Sequence, residues 1–151
     1  MDEITFRRAT EADVARIVAL LADDSLGAVR ESPEDLAPYR AAFKEADEDP
    51  RNMIIVAERD GAVIGTAQLT IIAGLSRRAA KRAQIEGVRV AAEARGTGLG
   101  SQLIEWCVER SRDEGCTLVQ LTSDATRIDA HRFYEKLGFQ ASHIGFKLPL
   151  R

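Results

Sequence analysis

Cysteine is scarce in this sequence, and long apolar runs are missing. Two cysteines, Cys107 and Cys116, are too few for a disulfide framework, and neither has a Cys or His partner at metal-ligand spacing. Every apolar run is far shorter than the ~18 residues that cross a bilayer. The acidic, polar start Met1–Thr10 is unlike a secretory signal. We therefore expect a cytoplasmic protein with no bound metal and no membrane contact.

An excess of charge of one sign is missing too. The 151 residues include 21 Lys or Arg and 24 Asp or Glu, which leaves a net charge of −3. This balance gives no general attraction to nucleic acid, so we expect no nucleic-acid partner. A chain of this length without repeats or linkers is expected to form a single domain over residues 1–151. As its assembly we consider a homodimer.

The apolar periodicity of the first half predicts one strand, two helices and a hairpin. Alternation at Ile4–Arg8 indicates a strand, and capping signals at Thr10 and Ser32 each begin a helix. Met53–Glu58 and Ala62–Ile72 are predicted strands, and the short turn between them makes the two strands antiparallel.

The second half predicts a parallel unit and a C-terminal strand. We predict a strand at Gln84–Val90, then an amphipathic helix, then a strand at Thr117–Ser123. The last strand is a nearly continuous apolar run, which indicates burial on both faces. Such a strand–helix–strand unit requires a right-handed crossover. A last helix ends at Gly138, and the segment after it is strand-like. The predicted class is a mixed α/β sheet of order β-α-α-β-β-β-α-β-α-β, with a last strand or hairpin at the C-terminus.

Three glycines, Gly96, Gly98 and Gly100, lie within five residues directly before the amphipathic helix. Glycine in a helix costs about 1 kcal/mol relative to alanine, so this loop opposes stability unless its bare backbone is needed. The first amides of a helix have no internal partner and attract anions, and the lack of side chains lets a phosphate approach them. The loop predicts a phosphate site, against the alternative of a flexible glycine-rich loop.

Two common phosphate motifs can be compared with this loop. A Walker loop needs Gly-Lys-Ser/Thr, but Gly100 is followed by Ser101 and Gln102. A dinucleotide fingerprint would need a glycine at Ser101 or Leu103. The Walker motif is excluded, and dinucleotide binding with Asp124 as a ribose ligand is kept as a weak alternative.

A third pattern fits without adjustment. "RGTGLG" at Arg95–Gly100 matches Arg/Gln-x-x-Gly-x-Gly/Ala, and "AHRFYEKLGF" at Ala130–Phe139 matches Ala-x-x-x-Tyr-x-x-x-Gly-Phe. With a strand before the loop and a helix after it, the sequence resembles the GCN5-related N-acetyltransferase (GNAT) family over nearly its whole length. The resemblance implies the GNAT fold and transfer of an acetyl group from acetyl-coenzyme A to a primary amine of a small molecule or peptide, by direct attack in a ternary complex.

The resemblance also implies roles for individual residues. Glu86 would be the general base, acting through water, and Tyr134 the general acid for the leaving thiolate. On a strand of period two, Glu86 would share a face with Val88 and Val90. Arg127 departs from the family, in which asparagine is frequent at this position. The implied cofactor-binding residues are Val88, Arg89, Val90, Arg95, Gly96, Thr97, Gly98, Leu99, Gly100, Ser101, Ser123 and Arg127.

The acceptor site of the family is typically built from the segment that is Asp23–Glu34 here and from the C-terminal strands. Four acids of this segment would suit a cationic acceptor; they are Asp23, Asp24, Glu31 and Glu34. The principal alternative is a sensor that binds acyl-coenzyme A without turnover. A sensor needs neither Glu86 nor Tyr134, so their presence favours an enzyme.

Overall fold

One mixed sheet carries helices on both of its faces. The computed structural model describes residues 3–151. Its strands are β1 Ile4–Arg8, β2 Asn52–Arg59, β3 Ala62–Ile72, β4 Arg82–Val90 and β5 Leu118–Leu121. Its helices are α1 Val14–Ala22, α2 Gly27–Arg30, α3 Ala37–Glu48, the one-turn α4 Ser76–Ala79, α5 Leu99–Asp113 and α6 Ile128–Lys136. No helix in residues 3–151 is long and apolar enough to cross a membrane.

The strands lie side by side in chain order, from β1 to β5. The first four are antiparallel to their neighbours, and β4 and β5 are parallel. The hairpin between β2 and β3 turns at Asp60 and Gly61, which both have positive φ, as the short turn requires. The predicted mixed α/β sheet is confirmed, and α5 connects its parallel pair.

The two faces of the sheet have separate cores. Val18 of α1 and Phe43 of α3 pack on one face against Val56. On the other face, Leu103 of α5 packs in a cluster with Ile85 of β4. Because side chains alternate along a strand, the register of β4 decides which of its residues face each core.

Strand β4 contains a bulge at Gly87, where φ is +64°. Gln68 of β3 lies opposite Glu86, and Thr66 lies opposite Arg89. From the first pair to the second, β3 advances by two residues and β4 by three, so β4 contains one extra residue. After this extra residue, the side chains of β4 alternate between the faces again, but shifted by one position. Glu86 and Arg89 therefore project from the same face of the sheet.

The bulge overturns the expected arrangement of β4 side chains. Val88 does not share a face with Glu86, because the extra residue shifts the alternation after Gly87, and Val88 packs in the cluster of the opposite face. Val90 packs against the cluster that contains Val18. The sequence prediction assumes a strict period of two along this strand and therefore includes no bulge. Gly87 permits the bulge because glycine adopts positive φ without a steric cost.

Helix α3 begins later than its capping signal predicts. Instead of capping a helix, Ser32 donates its backbone N–H to the hydroxyl of Tyr39 at 2.8 Å. The carboxylate of Asp35 accepts the N–H of Ala37, the first residue of α3, at 3.3 Å. The N-cap residue is Leu36, and no side chain caps the helix, so the expected capping by Ser32 is wrong.

The C-terminal segment 139–151 differs most from the predicted fold. Within the described residues it forms no ladder with the sheet, so the expected last strand or hairpin is absent from this structure. Its apolar side chains alternate as in a strand yet are 82–92% exposed; they are Ile144, Phe146, Leu148 and Leu150. Alternation supplies the pattern of a strand, but a strand also needs a neighbouring edge to bond with.

Strand β5 is shorter and more exposed than expected. The apolar run Thr117–Ser123 predicts burial on both faces, but the strand covers only Leu118–Leu121 and has no fully buried residue. Leu118 is 38% exposed. In residues 3–151 no strand pairs with the outer edge of β5, so it is an edge strand.

Candidate active site

The parallel strands β4 and β5 separate within the sheet. Their last paired residues are Ile85 and Leu121. Beyond this pair, β4 continues along β3 to Val90 while β5 ends. An opening therefore forms between the second half of β4 and the residues that follow Leu121.

Two buried polar atoms near the opening make no hydrogen bond. Among the described residues, Ser123 Oγ and Arg89 Nε are the buried side-chain nitrogen or oxygen atoms without a hydrogen bond. Buried polar groups are normally paired, so such atoms call for a ligand, water or another explanation. Both belong to residues for which the family resemblance implies cofactor binding.

The glycine loop presents bare backbone at the start of α5. Gly96 and Gly98 have φ of +77° and +85°, and a Cβ at either position would have no heavy atom within 4 Å. Gln102 donates to the carbonyl oxygen of Gly98 at 3.1 Å, so the amides before it precede the first helical bond. The loop therefore has the open space and the unpaired donors that an anion needs. This fits the pyrophosphate of coenzyme A.

Gly100 lies at a close packing contact between two helices. A Cβ on Gly100 would lie 3.3 Å from Cζ of Phe133, so a side chain there would press α5 against α6. Leu99 is buried in the core beside the loop. Thr97 donates its hydroxyl to the carbonyl oxygen of Ala94, which ties the loop to the preceding turn. Ser101 is half-buried in the first turn of α5.

Tyr134 lies half-buried on α6 between two aromatic rings. Its ring meets those of Phe133 and Phe139 edge-on, at centroid distances of 5.2 and 5.9 Å. Burial raises the pKa of Tyr134 above its usual value, and the positive charges of Arg127 and Arg89 partly offset that rise. The hydroxyl is thus protonated at neutral pH, as a proton donor must be.

Glu86 is exposed although its strand is internal to the sheet. It is the first residue of β4 beyond the last pair with β5, and it lies opposite Gln68 of β3. The side chain is therefore at the start of the opening and accessible to an amine or a water molecule. The bulge places Arg89 on the same face.

Asp24 joins the acceptor segment Asp23–Glu34 to β4. Its Oδ2 lies 3.1 Å from Arg89 Nε, and its other carboxylate oxygen accepts the N–H of Gly27 at the start of α2. Burial raises the pKa of Asp24, but the Gly27 amide and the charges of Arg89 and Arg127 outweigh burial and lower it overall. Asp24 is therefore an ionised carboxylate whose charge is already compensated.

The other three acids of the segment have different surroundings. Asp23 lies 3.6 Å from the guanidinium of Arg95 in the glycine loop. Glu31 accepts the hydroxyl proton of Tyr39 at 2.9 Å. Glu34 is exposed. The four acids thus do not form one negative cluster, and two of them pair with arginines of the expected cofactor site.

One ion pair crosses the opening, and Asp124, its acidic member, is also held by residues nearby in the sequence. Arg30 of α2 lies 3.3 Å from the carboxylate of Asp124, just beyond β5. The hydroxyl and amide of Thr126 donate to Asp124 and lower its pKa. His131 of α6 is 2.8 Å from the carbonyl oxygen of Asp124. Arg30 and Asp124 are 94 positions apart, so no local pattern could have indicated this pair.

Two cavities adjoin these residues. A cavity of about 240 Å³ with mostly apolar walls lies between α1, α3 and the sheet, and its lining includes Leu21, Tyr39, Gln68 and Gly87. A more open depression of about 350 Å³ is lined by residues 126–130 at the start of α6, including Arg127. The first cavity reaches β4 next to Glu86 and can accept the apolar part of a small molecule.

The fold and the site together define a class of protein. A mixed sheet that opens between two parallel strands, with an anion-binding loop beside the opening, is suited to a phosphorylated cosubstrate whose reactive end enters the sheet. The chain belongs to the acetyltransferase (GNAT) family, whose model matches residues 15–139. Its reaction is acetyl transfer from acetyl-coenzyme A to an amine.

Two curated relatives are named as N-acetyltransferases, and a solved structure shares the fold. The chain is 31% identical to an aminoalkylphosphonate N-acetyltransferase of Salmonella typhimurium, over 95% of this chain and 90% of the relative. It is 39% identical to a glucosamine 6-phosphate N-acetyltransferase of Trypanosoma brucei brucei, over 60% and 59% of the two chains. A Bacillus halodurans protein, whose crystal structure is described as that of a transcriptional regulator, has 46% identity and a TM-score of 0.94, over 98% of this chain and 100% of that one.

Proposed function

We propose that Glu86 and Tyr134 catalyse the acetyl transfer by direct attack of a primary amine in a ternary complex. The observation that carries this proposal is the position of both side chains around the opening of the sheet. Glu86 follows the last β4–β5 pair, Ile85 with Leu121. Tyr134 packs in the cluster that contains Val88 of β4 and Leu121 of β5.

The proposed chemistry needs a base for the amine and an acid for the sulfur. An alkylammonium has a pKa near 10.4, so freeing the amine at pH 7 costs about 4.6 kcal/mol. Glu86, through water, accepts the amine proton as the nitrogen bonds to the acetyl carbon. The carbon–sulfur bond breaks, and the hydroxyl of Tyr134 donates a proton to the leaving thiolate. Solvent then restores the proton of Tyr134 and takes the one held by Glu86.

For acetyl-coenzyme A, which supplies the activated acetyl group, we assign the residues along β4, the glycine loop and the far side of the opening. The loop amides and Arg95 would hold the pyrophosphate, and the β4 backbone would bond the pantetheine amides. The open space over Gly96 and Gly98 and the unpartnered Ser123 Oγ support this assignment. The full set is Val88, Arg89, Val90, Arg95, Gly96, Thr97, Gly98, Leu99, Gly100, Ser101, Ser123 and Arg127.

The acceptor is proposed to be a small-molecule amine rather than a peptide. The acceptors in the names of the two curated relatives are small molecules, and each carries a phosphonate or a phosphate group as well as an amine. The cavity of about 240 Å³ next to β4 has the size of a small organic group. Of the four acids proposed for a cationic acceptor, Asp23 and Asp24 pair with arginines, whereas Glu31 and Glu34 make no ion pair within residues 3–151.

Thiol release from acetyl-coenzyme A over a panel of primary amines tests the proposed function. We expect turnover with at least one small-molecule amine. Stabilisation of the fold by acetyl-coenzyme A in a thermal shift, with no turnover on any amine or peptide, would contradict the proposal and indicate a sensor. Stabilisation by NAD and none by coenzyme A would indicate dinucleotide binding instead.

Replacing the proposed base tests the amine side of the mechanism. Glu86→Gln should lower kcat by about 100-fold to 10,000-fold at neutral pH. The loss should shrink as pH rises, because more of the amine is then free without a base. Glu45→Gln, which removes an exposed carboxylate from α3, is the matched control. Equal rates for Glu86→Gln and this control would remove Glu86 from the mechanism.

Several expectations stay predictions. They are a cytoplasmic location, a single domain, a homodimer, and the absence of a bound metal and of nucleic-acid or membrane partners. Size-exclusion chromatography with light scattering tests the homodimer. Metal analysis of the purified chain tests the metal.

A further inference from the structure

Arginine side chains gather where the acceptor amine must approach. Arg89 projects from the same face of the sheet as Glu86, because the bulge at Gly87 adds one residue between them. That face is the one covered by the acceptor segment, since Asp24 of this segment reaches Arg89. Arg89 is therefore a neighbour of the proposed base on the acceptor side.

The guanidinium of Arg89 is held in place but only partly used. Its side chain is 17% exposed, and Nη1 donates to the carbonyl oxygen of Val88 at 2.8 Å. Nε lies 3.1 Å from the carboxylate of Asp24 without the alignment of a hydrogen bond. Among the described residues the guanidinium donates one hydrogen bond, from Nη1, so further N–H donors of Arg89 remain for an anionic oxygen.

A second arginine acts on the same region. Arg127 lies close enough for its charge to act on both Asp24 and Tyr134, and within residues 3–151 it makes no ion pair. Arg89 and Arg127 together balance the charges of Asp24 and Glu86, and Arg30 is compensated by Asp124. An acceptor that brings both a cationic amine and an anionic group preserves this balance.

Resting on the proposed acetyl transfer, we infer that the acceptor carries a phosphonate or phosphate group close to its amine, and that Arg89 binds this group with help from the charge of Arg127. The backbone of Arg89 can still bind the cosubstrate, because the side chain projects from the face of the sheet that the acceptor approaches. Arg89 is the specificity residue and Glu86 the base for one and the same molecule.

The spacing on β4 limits the length of the acceptor. Consecutive residues on one face of a strand lie about 7 Å apart. An amine that reaches Glu86 through water and an anion bound to Arg89 can be joined by a short aliphatic linker across this distance. The cavity beside Gly87, with Leu21 in its wall, can cover that linker.

A matched pair of acceptors tests the inference on the unmodified protein. One is aminoethylphosphonate, and the other is its carbon isostere, in which a tert-butyl group replaces the phosphonate. We expect kcat/KM to be about 10-fold to 100-fold higher for the phosphonate, the range for a charge-assisted hydrogen bond. Equal or higher kcat/KM for the isostere would overturn the inference. So would an equal or higher value for the analogous amino carboxylate.

Variants then locate the preference. Arg89→Gln should bring the ratio of kcat/KM for the phosphonate to kcat/KM for the isostere down to about one, with the phosphonate losing mainly through KM, whatever its effect on the cosubstrate. Arg89→Lys keeps the charge and should retain part of the advantage. Arg40→Gln, on the exposed surface of α3, is the matched control and should keep the full preference. If Arg89→Gln kept the preference, the assignment to Arg89 would be wrong.

The failure of this inference differs from the failure of the proposed function. If the chain acetylates amines without regard to a phosphonate, the acetyltransferase proposal stands and the inference fails. If no amine at all releases thiol, the proposed function itself fails.

Discussion

The two sides of the opening are built differently. The β4–α5 side, residues 82–113, has a long strand and a helix with fully buried side chains such as Leu103 and Cys107. The β5–α6 side, residues 118–151, has a four-residue edge strand, a helix without a fully buried residue and an exposed C-terminal segment. The first side is well buried and carries most of the residues that we propose bind the cosubstrate. The second side holds Tyr134 through a few aromatic contacts.

This difference teaches how the work of the site is divided. In the proposed mechanism, the loop amides at the start of α5 bind the pyrophosphate, and this helix is anchored in the core. The same mechanism has Tyr134 of α6 donate the proton to the sulfur from a less buried position. The arginine pairs with Asp23, Asp24 and Asp124 connect the acceptor segment to both sides.

The largest expected difference between the two sides is in stability. Leu103→Ala removes a side chain with 0% exposure and should lower the free energy of unfolding by about 2–5 kcal/mol. Leu148→Ala changes a side chain on the exposed C-terminal segment and should alter the free energy by less than about 0.5 kcal/mol. Urea unfolding of both variants measures this contrast. Similar losses would mean that the C-terminal segment packs in solution.

A smaller difference is expected in acid. The pKa values of Asp24 and Asp124 are both lowered by folding, so each stabilises the fold above its unfolded pKa near 3.9, and the effect is lost as pH falls through the folded pKa. Asp24 is partly buried against Arg89, whereas Asp124 pairs with Arg30 near the surface. Asp24→Asn should therefore reduce the decrease in the free energy of unfolding on acidification more than Asp124→Asn does. Unfolding measured between about pH 5 and pH 2 decides this, and the reverse order would contradict the account.

The smallest expected effect is on thiol chemistry. Burial raises the pKa of Cys107, on α5, to about 12. Burial also raises the pKa of Cys116, before β5, although the charge of Lys81 opposes that rise and the residue is only half-buried. A thiol reagent at neutral pH should modify Cys116 first and Cys107 only on unfolding. Labelling of native Cys107 at a similar rate would show that α5 opens in solution more readily than its burial indicates.

Local patterns predicted the parts of the fold that local chemistry determines. The Asp60–Gly61 turn, the loop from Arg95 to Gly100 and the amphipathic α5 were all predictable, because turn residues, glycines and periodicity act over a few positions. The confirmed mixed sheet follows from these elements and from the handedness of the crossover.

Features that depend on distant partners were not predictable. The bulge at Gly87 is defined by the register with β3, and the exposure of Glu86 depends on where β5 ends. The same holds for the ion pair between Arg30 and Asp124. The C-terminal segment had the alternation of a strand but lacked an edge to pair with, which no count of apolar residues can reveal.

The most direct test of the central claim is the kcat of Tyr134→Phe. The change removes only the hydroxyl and keeps the ring between Phe133 and Phe139, so the fold and the affinity for acetyl-coenzyme A should persist. The account predicts a kcat lower by about 100-fold to 10,000-fold. The matched control is Tyr39→Phe, the other tyrosine of the chain, whose effect should appear in the KM of the acceptor. An unchanged kcat for Tyr134→Phe would contradict the role of Tyr134 as the acid and the account of the site built on it.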